Sequence, residues 1–240
     1  MIKYDFNKKI VLVTGGTGAL GQTISLDFLK SGANVIVTYV NDNEIKSLES
    51  KLGNFVKKVM LVKANLMNDD EVQKLVSNII NANNRIDILI NTVGGYRAGH
   101  PVTQISEKDW DLMMNLNLKT AFLISKHVVK EMENKGQGKV IHVAARSGLK
   151  GSGNDAAYVA SKSGILRLVE SLSEEVKNKN INVNCVLPSI VDSDANRQSM
   201  PEEDFSKWVS PSEISKVIAF LASDESNSIH GASIPTYGII

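Results

Sequence analysis

Lys9-Ile10-Val11-Leu12-Val13-Thr14-Gly15-Gly16-Thr17-Gly18-Ala19-Leu20-Gly21 is the stretch that decides the fold. Residues 9–14 are a short, β-branched apolar run without polar alternation, which is how a parallel strand buried on both faces reads. The glycine turn follows at once. Leu20, Ile24 and Phe28 then recur at helical spacing until Gly32 ends the helix. Strand, glycine turn and helix in that order let the backbone approach a pyrophosphate, whose charge rests on the helix N-terminus. The competing reading is a glycine-rich turn that holds no ligand.

Outward from this unit the pattern repeats. Residues 33–40, 59–64, 86–91, 139–144 and 181–187 read as strands, and a further one begins near Ser233. Residues 44–51 and 69–81 read as helices, as do the segments from Ser106 to about 132 and through Tyr158 to about 178. Ser106 with Asp109 resembles a capping box, and Ser210-Pro211-Ser212-Glu213 is a second cap with proline at the first helical position. The expected fold is α/β. A single domain over 1–240 carries a Rossmann-type doubly wound parallel sheet of about seven strands, helices on both faces, and ligands at the C-terminal strand ends. Residues 188–210 are a polar excursion too long for a plain connection, the kind that serves as a lid or binding loop.

Bulk properties narrow the function. A net charge of +1 gives no reason to expect nucleic acid or an anionic membrane as partner. No apolar run approaches a bilayer span, and no apolar stretch with a cleavage site opens the chain. Cys185 is the only cysteine, so no internal disulfide forms and a reducing, cytoplasmic setting fits. His100, His127, His142 and His230 are scattered without ligand spacing, so no metal site is expected.

Tyr158 and Lys162 lie four residues apart and share one face of a helix. An ammonium beside a phenol favours the phenolate, lowering a pKa of ~10 and readying the tyrosine to give and take a proton. Asn117 falls inside a helix, where its amide competes with the backbone. A local break that frees a carbonyl is one reason for it; a solvent-facing asparagine is the other. The end of the second strand ordinarily reads a nucleotide's 2′ group, with an acid for a ribose diol and a base for a 2′-phosphate. Tyr39, Val40 and Asn41 are neither. Thr92-Val93-Gly94-Gly95, after Asn91, could cover the same ligand.

Thr14-Gly15-x-x-x-Ala19-x-Gly21, Asn91-x-x-Gly94, Asn117 and Tyr158-x-x-x-Lys162, in this order, resemble the short-chain dehydrogenase/reductase family over nearly the whole chain. The resemblance implies NAD(H) or NADP(H) as cofactor and hydride transfer to or from a small-molecule substrate. By position it makes Tyr158 the acid/base, has Lys162 hold the nicotinamide ribose and lower the tyrosine pKa, and has Asn117 anchor a water of a proton relay. At the cofactor it puts Gly15, Thr17, Ala19, Leu20, Gly21, Tyr39, Asn65, Leu66, Asn91, Val93, Gly94, Pro188 and Ile190, with Tyr158 and Lys162. It also implies a homodimer or homotetramer paired through the long helices that carry Asn117 and Tyr158.

Four positions depart from the family pattern. Ala19 replaces the middle glycine of the turn, Asn65 a common aspartate, and Ser189 the usual glycine after Pro188. Ala145, thirteen residues before Tyr158, stands where the family has a serine that meets the substrate oxygen. Losing one such donor costs about 3 kcal/mol of transition-state stabilisation, and Ser147 is the candidate replacement. One branch, the dihydropteridine reductases, also has alanine there, because its quinonoid acceptor takes the proton on nitrogen. Val93-Gly94-Gly95-Tyr96 and the stretch from Leu187-Pro188 through Arg197 to Trp208 resemble that branch. The first expectation is therefore hydride transfer to a quinonoid dihydropterin-like conjugated acceptor, with Tyr96, Ala145, Ser147, Arg197 and Trp208 on the substrate side. The alternatives are a carbonyl (3-oxoacyl or sugar) reductase or alcohol dehydrogenase, and a catalytically silent nucleotide-binding protein. Structural roles stand beside these: Trp208 and Phe205 pinning the excursion, Tyr96 as a surface aromatic, Arg197 paired with Asp192 or Asp194.

Overall fold

The computed structural model describes residues 4–239. β1 (Ile10–Thr14) runs into α1 (Ala19–Lys30), and β2 (Asn34–Tyr39) into a 3₁₀ turn (Asp42–Glu44) and α2 (Ile45–Leu52). β3 (Val59–Lys63), α3 (Asp69–Asn83) and β4 (Ile88–Asn91) follow. Then come α4 (Glu107–Met113), α5 (Thr120–Lys135), β5 (Gly138–Val143), α6 (Ala156–Val176) and β6 (Ile181–Pro188). The chain closes with α7 (Asp194–Ser199), α8 (Pro211–Ala222) and β7 (Ser233–Thr236).

The strands form one parallel sheet in the order β3-β2-β1-β4-β5-β6-β7. Side chains alternate between its faces, and both faces are covered, so an apolar run without polar gaps is what the strands require. Leu12, Leu89, Val140 and Val183 pack on one side against α3, α5 and α6. Val11, Val13, Ile90 and Ile141 pack on the other against α1, α2 and α8. Each such buried side chain contributes roughly 2 kcal/mol of apolar transfer free energy. β3, at one edge, is only half-buried, and the other edge strand, β7, carries Pro235 on its exposed side. β1 lies between β2 and β4, and Thr14 pairs in register with Asn91. The crevice where strand order reverses therefore opens at the glycine turn.

Two local features shape the site. Between α4 and α5 the helix widens into a π-helical stretch, Met114–Lys119, with Asn117 inside it, so the expected long helix is interrupted at that residue. Such bulges leave backbone groups without their usual i→i−4 partners. Ser106 caps α4 by accepting the Asp109 N–H, and Ser210 with Glu213 makes a full capping box on α8. The 188–210 excursion folds on itself. Val191 bridges Val209, Asn196 Nδ2 donates to the Val191 carbonyl at 2.7 Å, and Trp208 is 6% exposed. Among the described residues, no helix is long and apolar enough to cross a membrane.

Candidate active site

At the crevice the sequence leaves room for a ligand and nothing to fill it. A Cβ on Gly21 would stand 2.5 Å from the Gly15 carbonyl oxygen and 2.6 Å from Gly16 Cα, so only glycine lets α1 start this close to β1. Gly18, the N-cap of α1, brings no side-chain hydrogen bond to the first-turn amides, which leaves them for an anion. A cleft of about 290 Å³ follows, lined among others by Gly15, Ala19, Gly21, Gly94, Tyr158 and Lys162. The Ala19 methyl lies along the cleft wall without closing it. These residues fit a dinucleotide: open amides, a Cβ-free approach and a lysine within one lining.

Tyr158 and Lys162 sit one turn apart on α6, as their spacing requires. Lys162 Nζ lies 5.8 Å from the Tyr158 ring centre and donates to the Val143 carbonyl at 3.3 Å. Burial lowers the Lys162 pKa to about 8. The Tyr158 pKa moves opposite to the sequence expectation, rising to about 12. Burial is the main cause, and the Tyr96 phenol and Asp155 carboxylate add to it. A lysine with a depressed pKa that spends its bond on a carbonyl does not offset these. Tyr96 meets Tyr158 edge-on at 4.8 Å and donates to Asp155 Oδ1 at 3.0 Å. Although 67% exposed, Tyr96 thus forms a wall beside Tyr158.

Asn117 faces inward rather than towards solvent. Its Oδ1 accepts the Gly95 N–H at 2.9 Å, and its Nδ2 donates to the Gly95 carbonyl at 3.1 Å and Ser161 Oγ at 3.0 Å. A Cβ on Gly94 would come within 2.8 Å of Asn117 Oδ1 and 3.0 Å of Lys162 Nζ. Beneath the cleft runs a buried chain. Thr14 Oγ1 donates to Asn91 Oδ1 at 2.6 Å, Asn91 Nδ2 donates to His142 Nδ1 at 3.1 Å, and His142 Nε2 meets Ser125 Oγ at 3.0 Å. Asn91 donates to Nδ1, so the imidazole proton sits on Nε2. Burial, then the nearby Lys162, hold His142 neutral with a pKa of about 4.

The remaining expected residues divide. Thr17 gives its hydroxyl to Glu44 Oε2, and Val93 is half-buried against the core. Asn65 Oδ1 accepts the Met67 N–H at 3.1 Å, so its amide already closes a local turn. The Leu66 side chain is a core residue packed with α3. Tyr39 ends β2, Pro188 ends β6, and the Ile190 carbonyl accepts the Val209 N–H. Ala145 is buried, and Ser147 is half-buried on the 3₁₀ turn (Arg146–Gly148) after β5. Two residues expected on the substrate side make contacts within the loop. Arg197 is held by a two-point pair to Asp192, Nε at 2.6 Å and Nη2 at 2.8 Å, and lies over the Phe205 ring. Trp208 is buried against Phe205. Both take part in the loop's own packing. Val143, Val191 and Ser193 line the cleft without having been singled out, beside Thr92 of the turn expected to cover the ligand. Ser193, a hydroxyl five residues after Pro188 in a loop already suspected of binding, was the one legible signal.

The short chain dehydrogenase family matches residues 9–204, and the chain belongs to it. It is accordingly an NAD(P)-dependent oxidoreductase. The 3-oxoacyl-acyl-carrier-protein reductase FabG of Rickettsia typhi is 30% identical over 243 residues, 98% of this chain and 97% of that protein. The Thauera aromatica (2S)-((R)-hydroxy(phenyl)methyl)succinyl-CoA dehydrogenase subunit BbsD is 29% identical, covering 93% of this chain and 92% of its own. Among solved structures, a short-chain dehydrogenase/reductase from Burkholderia xenovorans superposes with a TM-score of 0.88 at 26% identity, over 98% of this chain and 97% of that one. ElxO with NADP bound gives 0.91 at 23% identity, covering 96% of this chain and 98% of its own, a likeness of fold.

Proposed function

We propose that this enzyme reduces a small-molecule carbonyl to an alcohol, with a 3-oxoacyl thioester as the substrate class. The observation that carries the reading is a half-buried phenol, Tyr158, that lines the dinucleotide cleft with the Lys162 ammonium one turn away on the same helix. A hydroxyl placed there can give its proton to the oxygen that becomes basic when a carbonyl takes hydride. The nucleotide, when bound, supplies the hydride. Tyr158 gives its proton to the substrate oxygen. Lys162 presents its ammonium beside that phenol and holds the sugar next to the reacting ring. Asn117 keeps the Gly94-Gly95 turn and Ser161 at fixed spacing, from which a water of the proton relay would be anchored. Gly15, Thr17, Ala19, Leu20, Gly21, Asn91 and Gly94 bind the cofactor, with Tyr96 and Ser147 on the substrate side and 188–210 as the substrate loop. Both curated relatives described above are named for acyl thioesters, which supports the substrate class.

A second reading is kept because of Ala145. A buried methyl stands where a hydroxyl would meet a carbonyl oxygen, and a quinonoid dihydropterin needs no such donor. We place the enzyme in the cytoplasm as a homodimer or homotetramer. Its subunits would meet where Met114, Leu118, Phe122 and Leu168 line an apolar hollow.

The test mixes protein with NADH or NADPH and either acetoacetyl thioester or quinonoid dihydropterin, following nucleotide oxidation. Turnover of the thioester is expected, falling about 10²–10⁴-fold in Tyr158→Phe. Turnover of the pterin alone would replace the carbonyl reading. Nucleotide binding without turnover of either would favour a silent binding protein.

A further inference from the structure

The neutral residues Tyr39, Val40 and Asn41 at the end of β2 say nothing about the 2′ substituent, but the 3₁₀ turn behind them does. Glu44 lies in that turn, and its Oε2 accepts the Thr17 hydroxyl at 2.5 Å. A carboxylate is thereby fastened to the glycine turn itself. A second stitch holds the two segments together: Gln22 Nε2 donates to the Thr17 carbonyl at 2.7 Å and to Ser47 Oγ of α2 at 3.1 Å. The cation paired in register with the end of β2 is already committed. Lys63, in register with Tyr39 across β2 and β3, pairs with Asp42 at 2.5 Å. Between Gly15 and Asp42 the only lysine or arginine is Lys30, at the far end of α1.

We propose that Glu44, positioned by Thr17, makes this enzyme select NAD(H) over NADP(H). The inference rests on the dinucleotide reading of the cleft and adds the choice between the two nucleotides. A ribose diol has hydroxyls that donate to a carboxylate. A 2′-phosphate brings about −1.5 to −2 charges and only acceptor oxygens, so it meets Glu44 as a like charge. Repulsion of the wrong ligand, rather than extra contact with the right one, is then the source of discrimination. The Thr17 bond explains how an acid five residues beyond β2 can act: the turn carries it back to the phosphate-binding loop.

The experiment is a fluorescence titration of the full chain with NADH and with NADPH at fixed ionic strength, without substrate. NADH is expected to bind at least about tenfold more tightly. Glu44→Gln keeps the shape and an acceptor for Thr17 but removes the charge. It is expected to narrow the ratio to about threefold, mainly by tightening NADPH. Thr17→Val, which keeps the charge but releases it, should narrow the ratio part of the way, with melting temperature as the check on folding. Equal or tighter NADPH binding in the wild type would overturn the proposal. So would an unchanged ratio in Glu44→Gln, or a ratio that collapses in Asp42→Asn and not in Glu44→Gln. Binding of neither nucleotide would overturn the dinucleotide reading itself, which separates the two failures.

Discussion

Lys162 and Tyr158 are displaced from their usual pKa values in opposite directions, to about 8 and about 12. Over that interval the phenol keeps its proton while the lysine gives its own up. The kcat/KM for reduction is therefore expected to stay level below about pH 8 and to fall as pH rises through it. In Lys162→Arg, where the cation does not titrate, residual activity should lack that limb. A level profile to pH 10 in the wild type would remove the ammonium from the reaction. The sequence spacing predicted that these two residues meet. It could not predict the direction of the tyrosine shift, because Tyr96 comes from a different segment and the degree of burial is a tertiary property. Likewise, Thr17 and Glu44 stand 27 positions apart, and no local pattern announces their bond.

At the scale of elements, the buried chain Thr14–Asn91–His142–Ser125 ties β1, β4, β5 and α5 together under the cleft. His142 has its folded pKa near 4 and an unfolded value near 6.5. Between these pH values the unfolded chain binds the extra proton, so stability is fully present above about 6.5 and is lost as pH falls towards 4. The loss is on the order of 3 kcal/mol. Urea unfolding at pH 7 and pH 4.5 should show it, and His142→Gln should flatten the difference whatever its effect on overall stability. The strands and glycine turn were readable because apolar runs and glycines are local signals. The caps of α4 and α8 were readable for the same reason. The interior of 188–210 was not: Val191 pairs with Val209 across the whole loop, and Arg197 finds Asp192 only once α7 forms. Through such contacts Arg197 and Trp208, both expected at the substrate, take part in the loop's own packing.

Over the whole molecule, the apolar surface is uneven. Phe122 is 48% exposed on α5, beside Met114, Leu118 and Leu168. A phenylalanine this open on a helix face fits the paired-helix assembly proposed above. Phe122→Glu is expected to shift the mass in sedimentation towards the 26.1 kDa single chain, with the far-ultraviolet spectrum unchanged. An unchanged mass would move the interface elsewhere. Fold class and strand number were legible across the whole chain because the βα unit repeats. Which apolar helix positions face a neighbour was not, since α5 and α6 are apolar on more than one side.

Pro235 has a consequence for how the protein behaves in a crowded solution. It sits on the exposed rim of β7 without an amide hydrogen, so a foreign strand arriving there finds a missing rung. Runaway stacking of misfolded chains along that rim is discouraged by one ring-closed residue, independently of anything the cleft does.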